Sequence, residues 1–294
     1  MTGPTPDTIT VNGHRLWRSL MDLAEIGAYD DERTGLRGVN RLALTDADAA
    51  GRRQVITWME QAGLTVRIDR MGNVYGRNDV QAGVVTGVQG ISWQEITIHG
   101  RAAHAGTTPT RLRADAGLAA ARIGVHLRAM VDSGAYGELR ATVGHLAVHP
   151  DLTNIVPARA ELTLDLRNPD DARMARAEEG LAAFLRTLED DTPGLTLTTR
   201  RMAKTAYVPF HERVQKVIAQ AADDHGLEHV SLLSGAGHDA QEIAALCPTA
   251  MVFVRGEYDG ISHNPREYST PEACAHGVDA LATTLLRLAT QDPS

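Results

Sequence analysis

Cysteine is nearly absent: Cys247 and Cys274 are the only two in 294 residues. Two sulfurs cannot build a disulfide framework or a four-sulfur zinc site, so any metal here would be held by histidine and carboxylate. Both thiols read as buried. Positive charge is also short, with 29 Lys and Arg against 37 Asp and Glu, a net charge of −8. That balance argues against a general polyanion binder and gives no reason to expect a nucleic-acid or membrane partner. No apolar run approaches the roughly 20 residues of a membrane-spanning helix, and the opening Met1 to Asp7 has neither a basic start nor an apolar block. A cytoplasmic protein is the expectation. Missing too are a G-x-S-x-G nucleophile elbow and a phosphate loop of the G-x-x-x-x-G-K kind, and the loop histidines His104, His238 and His263 do not pair at the i, i+4 spacing of zincins.

What is present suits a globular protein, with 43% hydrophobic and 22% charged residues. The length allows one large domain or two ordinary ones. The most concentrated chemistry lies in Gly100 to Asp115, GRAAHAGTTPTRLRAD. Ile96 and Ile98 alternate with polar neighbours before it, as in a strand, and apolar residues recur at helical spacing after Asp115. His104, Thr107, Thr108, Arg111 and Arg113 therefore sit on a strand-to-helix loop, bent by Gly100 and Gly106 and stiffened by Pro109. Such a loop can hold an anionic or tetrahedral oxygen. A polar surface loop with scattered arginines is the alternative.

Taken in order, the chain predicts a helix over Leu16 to Ile26 and another from Thr45 to Gly63. A hairpin follows, from Leu64 to Asp69 and Val74 to Arg77 around Met71-Gly72-Asn73. A strand-like run, GVVTGV, comes at once after Asn78 to Gly83. Then come a strand ending near His99, a helix from Asp115 to Val131, and strands over Thr142 to Val148 and Ala160 to Leu166. A helix opened by Asn168-Pro169-Asp170, with Pro169 at its first position, and a strand over Leu195 to Thr199 complete the series. The order β-α-β-β-α-β is the split-βαβ arrangement of a ferredoxin-like domain. After Tyr207 helices and apolar strands alternate: a helix to Gly226, strands over Val230 to Leu233 and Ala250 to Val254, and a last helix opened by Thr270 and Pro271. The fold class is α/β, with residues 81–203 inserted between 1–80 and 204–294.

His238 and Asp239 follow directly after a strand, where α/β proteins place ligands, and His263 follows the next strand. With His104 they make three imidazoles on three loops, near Asp239, Glu242, Asp259 and Glu267 in sequence. A mixed histidine and carboxylate site suits zinc or manganese. Solvated or hydrogen-bonded loop histidines are the alternative reading.

Four stretches taken together, GRAAHAGTTPTRLRADA, TNIVPARAELTLDLR, LLSGAGHDAQEIA and GISHNPREY, resemble the hydantoinase/carbamoylase family of amidases. These are dinuclear-metal, aminoacylase-like hydrolases that include N-carbamoyl-L-amino acid hydrolases and allantoate amidohydrolases. NGHRLWRSLMDLAEIG, GVNRLALTDAD and MGNVYGR look like the family's opening. The resemblance implies an α/β metallohydrolase domain carrying the inserted ferredoxin-like domain as a lid and dimerisation domain. It implies zinc or manganese, a small ureido or carbamoyl acid as substrate, and a homodimer formed through the lid. Residue by residue, His104 matches the histidine that polarises the scissile carbonyl, commonly from the partner subunit. Asn154 and Arg167 match positions that bind the substrate carboxylate, His238 a residue near the substrate, and His263 a metal ligand.

The pattern departs from the family where Arg77 is followed almost at once by Gly83. The family has a long block there with a His-x-Asp motif, a bridging Asp, paired Glu residues and a further His. Without it, one of five expected ligands remains, His263, and the catalytic Glu has no counterpart. The resemblance thus implies a metal-dependent amidohydrolase acting on C–N bonds of linear amides, inactive or severely impaired in this chain. The alternatives are an inert remnant that pairs through its ferredoxin-like domain, and a mononuclear site built from His238, Asp239 and His263. Thr110 stands where the family usually has Met.

Overall fold

The structure is a computed structural model that describes residues 9–32, 34–42, 45–61 and 81–290. The hairpin expected over 64–77 lies outside the described residues, as does the opening 1–7. The chain divides into one compact unit of residues 88–208 and another formed by the segments on either side.

The flanking unit begins with helix α1 (Gly13–Ala24), whose amino end is capped by Asn12 accepting the Arg15 N–H at 2.9 Å. Strands β1 (Ala28–Asp31) and β2 (Leu36–Val39) then pair as an antiparallel hairpin ahead of helix α2 (Asp46–Gln61). The sequence predicts two helices with no hairpin between them. The turn is made by Gly35, at φ +67°, with its N–H on the Asp31 carbonyl at 2.8 Å. Strand β3 (Ala82–Val88) was expected with the inserted domain, but it pairs within the flanking unit's own sheet.

The inserted unit runs through β4 (Gly90–His99), β5 (Ala103–His104), α3 (Ala116–Asp132), β6 (Arg140–His149), β7 (Ile155–Val156), β8 (Arg159–Asn168), α4 (Asp171–Asp190) and β9 (Thr196–Thr205). Its main sheet has the order β6-β8-β4-β9 with every neighbour antiparallel, so the units β4-α3-β6 and β8-α4-β9 interleave. Strict alternation along β8 sends Ala160, Leu162, Leu164 and Leu166 to the helices and leaves Arg159, Glu161, Thr163, Asp165 and Arg167 on the open face. The helices meet that face with Ile123, Leu127 and Met130 from α3 and Met174, Leu181 and Leu188 from α4. Each fully buried aliphatic side chain contributes about 1.5–3 kcal/mol, which makes this layer the main source of the unit's stability.

Helix α3 is capped by Asp115, which accepts the Leu118 N–H at 2.9 Å. At α4 the cap is Asp170, accepting the Arg173 N–H at 2.9 Å. Pro169 therefore precedes the cap instead of filling the first helical position, and the Asn168 side-chain oxygen accepts the Asp170 N–H at 3.0 Å ahead of the helix. Phe184, expected on the inner face, is partly buried and stacks on His126 of α3, with ring centroids 3.8 Å apart and planes at 3°. Burial holds the His126 imidazole below its usual range.

The rest of the flanking unit comprises β10 (Val208–Pro209), α5 (Glu212–Asp224), β11 (His229–Ser234), α6 (Ala240–Ala244), β12 (Met251–Val254) and α7 (Pro271–Thr290). β3 lies at the centre of its sheet, pairing with β10, β11 and, antiparallel, β12. That position explains its nearly unbroken burial. Gly83 allows the close approach, since a Cβ there would lie 2.7 Å from Leu232 and 3.1 Å from Phe253. Val84 packs with Val214 and Ile218 of α5, and Ala82 with Ala222 and Ala280. Thr270 caps α7, accepting the Ala273 N–H at 3.1 Å. The two thiols depart from expectation: Cys247 is exposed and Cys274 half-buried. Among the described residues, no helix is long and apolar enough to cross a membrane.

Candidate functional site

His104 lies where the chain leaves the end of the inserted unit's sheet. Its strand β5 pairs with β7, setting His104 opposite Ile155, and the Ala105 N–H reaches the Asn154 carbonyl at 2.9 Å. His104 and Asn154 are thereby brought side by side. The loop closes on itself at its base: the Gly100 N–H bonds the Ala158 carbonyl at 2.7 Å and the Arg101 N–H bonds the Ala114 carbonyl at 2.8 Å. Only glycine fits at position 100, where a Cβ would strike the Ala114 carbonyl. The expected strand-to-helix loop is present, with one 3-10 turn at Thr110–Leu112.

The His104 ring is oriented by the backbone. Its Nδ1 accepts the N–H groups of Gly106 at 3.0 Å and Thr107 at 3.2 Å. A nitrogen that accepts twice carries no proton, so the neutral ring holds its proton on Nε2, which leaves Nε2–H as a donor at an exposed position. Arg113 fastens the same loop, giving Nη2–H to the Ala105 carbonyl at 2.6 Å and Nε–H to the Thr108 carbonyl at 2.9 Å.

Arg167 stands elsewhere on the unit. The His104 and Asn154 loops extend from the Arg159 end of β8, whereas Arg167 is eight residues along that strand, about 26 Å away at 3.3 Å per residue. Its guanidinium grips Asp165, with Nε at 3.0 and 3.1 Å and Nη2 at 2.8 Å from the carboxylate oxygens. Both side chains are about a quarter exposed, at 23% and 28%. The sequence alone does not single out Asp165 as the partner of Arg167. The signal was its i, i+2 spacing from Arg167, which puts both on one face of a strand.

In the flanking unit, His238 follows β11 in a glycine-rich turn. Its N–H donates to Gln241 Oε1 at 3.1 Å, and its Nδ1 accepts the Ala240 N–H at 3.0 Å, so Nε2 again carries the proton. Burial lowers the His238 pKa, against the opposing pull of the Asp239 charge. His263 lies in the loop after β12 with φ +55°, its N–H bonded to Glu267 Oε2 at 3.1 Å. Among the described residues, no three His, Cys, Asp or Glu side chains gather to hold a metal ion. The mononuclear set of His238, Asp239 and His263 is accordingly not formed.

The model of peptidase family M20/M25/M40 matches residues 50–287. N-carbamoyl-L-amino acid amidohydrolase of Geobacillus stearothermophilus is 37% identical over 218 residues, covering 74% of this chain and 52% of its own length. Allantoate amidohydrolase of Bacillus subtilis (strain 168) is 30% identical over 207 residues, covering 70% and 50%. The chain spans about half the length of the curated relatives it matches. A crystal structure of a hydantoinase/carbamoylase family amidase from Burkholderia vietnamiensis superposes with a TM-score of 0.82 at 28% identity, covering 96% of this chain and 98% of that one.

Proposed function

The chain belongs to peptidase family M20/M25/M40, and from that membership we propose that it binds an N-carbamoyl or ureido acid in a site shared by two copies of itself, with its hydrolysis of the C–N bond lost or severely impaired. In this reading His104 Nε2–H donates to the carbonyl oxygen of the ligand, where a preorganised donor is most effective. The Asn154 amide and the Arg167 guanidinium take the carboxylate, for which a planar fork is suited.

One observation carries the shared site: the loops of His104 and Asn154 leave β8 at its Arg159 end, eight residues or about 26 Å of extended strand from Arg167. A ureido acid only a few bonds long reaches about 10 Å at most. A single copy therefore cannot apply both groups to one ligand. Pairing through the inserted unit has support in edge strand β6, with Leu146 at 53% exposure, and in α3, which turns Leu118 and Val125 outward at 57% and 72%.

Zinc or manganese is the family expectation, with His263 as the one ligand that matches. The residues do not fit a pair of metal ions. The described side chains form no three-membered ligand set, and the remaining sequence adds only Asp7, Asp69, Asp79 and Asp292 to the possible ligands. A nucleophile generated between two ions needs a bridging carboxylate and a full ligand shell, so no hydrolytic step is assigned to these residues. An inert pairing remnant without ligand binding is the second reading, supported by the same exposed residues of α3 and β6.

The test is calorimetric titration of the chain with an N-carbamoyl-L-amino acid, alongside an assay for ammonia release. Saturable binding without turnover is expected. Absence of binding would leave only the pairing reading, and rapid turnover would remove the proposed impairment.

A further inference from the structure

We infer that Arg113 is a positioning residue that keeps the His104 ring in its donor state by clamping the backbone on which that state depends. This rests on the reading that His104 meets the ligand's carbonyl oxygen. For the N–H groups of Gly106 and Thr107 both to reach Nδ1, the chain must turn back within three residues of His104. That turn is closed by the Thr108 N–H on the His104 carbonyl at 3.1 Å. It leaves the carbonyls of Ala105 and Thr108 to be satisfied, and Arg113 takes both, at 2.6 and 2.9 Å.

Among the described residues no carboxylate pairs with Arg113, so its fork is used to fix backbone. A lysine, with its single ammonium centre, does not reproduce two bonds in a fixed plane. Arg113 is itself anchored. Its N–H bonds the Thr110 carbonyl at 3.1 Å, and the next residue, Ala114, is tied to Arg101 at the loop base. The order of dependence therefore runs from the sheet end through Arg113 to the turn, and from the turn to the two N–H groups that keep Nδ1 free of a proton. An arginine acting only as a general surface staple would leave the ring nitrogen indifferent to its loss.

The experiment uses the 15N-labelled full chain with R113M, R113K and H104A. It reads amide hydrogen exchange at Gly106 and Thr107, with Ile123 and Leu127 of α3 as internal references. In R113M, exchange at Gly106 and Thr107 should rise about tenfold, the size of one lost charge-assisted bond, while Ile123 and Leu127 stay unchanged. H104A should accelerate the same two amides, and R113K should fall between R113M and wild type. Affinity for an N-carbamoyl-L-amino acid should fall about tenfold in R113M. Unchanged exchange at Gly106 and Thr107, or equal acceleration at all four amides, overturns the inference. Should R113M fail to fold, R113K decides by the same criteria. If the wild-type chain binds no ureido acid, the binding proposal fails while the exchange result still decides the role of Arg113.

Discussion

The placement of the His104 loop at the Arg159 end of β8, about 26 Å of extended strand from Arg167, leads to a quantitative expectation for mixed variants. H104A and R167A should each abolish tight binding of an N-carbamoyl-L-amino acid, because each removes one half of every site. In a two-fold dimer the two sites are equivalent, and each draws His104 from one copy and Arg167 from the other. Equal mixing with free exchange places half the molecules in heterodimers. In each heterodimer one site collects both substitutions and the other collects neither. About one quarter of all sites should therefore regain wild-type affinity. Calorimetry on the re-equilibrated mixture reads this as a binding stoichiometry near one quarter of wild type, with an unchanged dissociation constant. The reasoning is refuted if the mixture binds nothing although both variants are folded and dimeric. It is equally refuted if a strictly monomeric chain binds one ligand per copy.

Glu178 anchors a polar cluster under the inserted sheet, with Lys204 Nζ at 2.5 Å and Ser92 Oγ at 2.6 Å. Burial alone would raise its pKa, but the Lys204 and Ser92 bonds outweigh that and hold it below the usual carboxylate range. A depressed carboxyl contributes stability above its unfolded pKa, near 4.3, that is lost as pH falls through the lower folded value. E178Q should cost about 1–3 kcal/mol at neutral pH, discounted for the partly exposed Lys204, and should flatten the acid limb of stability measured by urea unfolding. G100A forces a methyl group onto the Ala114 carbonyl; it should cost about 1–3 kcal/mol in thermal unfolding and speed exchange at Gly106. L162A, at a side chain with no exposure in the core of the inserted unit, should cost about 2–5 kcal/mol with no change in the loop bearing His104.

Much of this architecture could be read from residue spacing. The inner faces of α3 and α4 follow apolar residues at helical intervals, and Asp115 and Thr270 mark helix starts because a short oxygen-bearing side chain precedes each run. Misreadings arose where local chemistry was weak or pairing was distant. The hairpin over 28–39 has few apolar residues, and its turn rests on Gly35. GVVTGV is plainly a strand, but an apolar run carries no information about which sheet receives it. Its partners at Met251–Val254 are far along the chain. The same holds at the site. His104, Asn154 and Arg167 stand out as residue types, but their division between the two ends of β8 needs the register, and the tautomer of His104 is set by backbone N–H groups that no side-chain pattern records.

The central claim is that this chain keeps the means to bind a ureido acid and lacks the side chains that would hold two metal ions against it. Zinc and manganese titrations of purified chain, read by elemental analysis after gel filtration and paired with an ammonia-release assay, test it most directly. The account predicts less than one ion retained per chain and no release of ammonia from a bound N-carbamoyl-L-amino acid. Two ions retained per chain, with steady turnover, would contradict it.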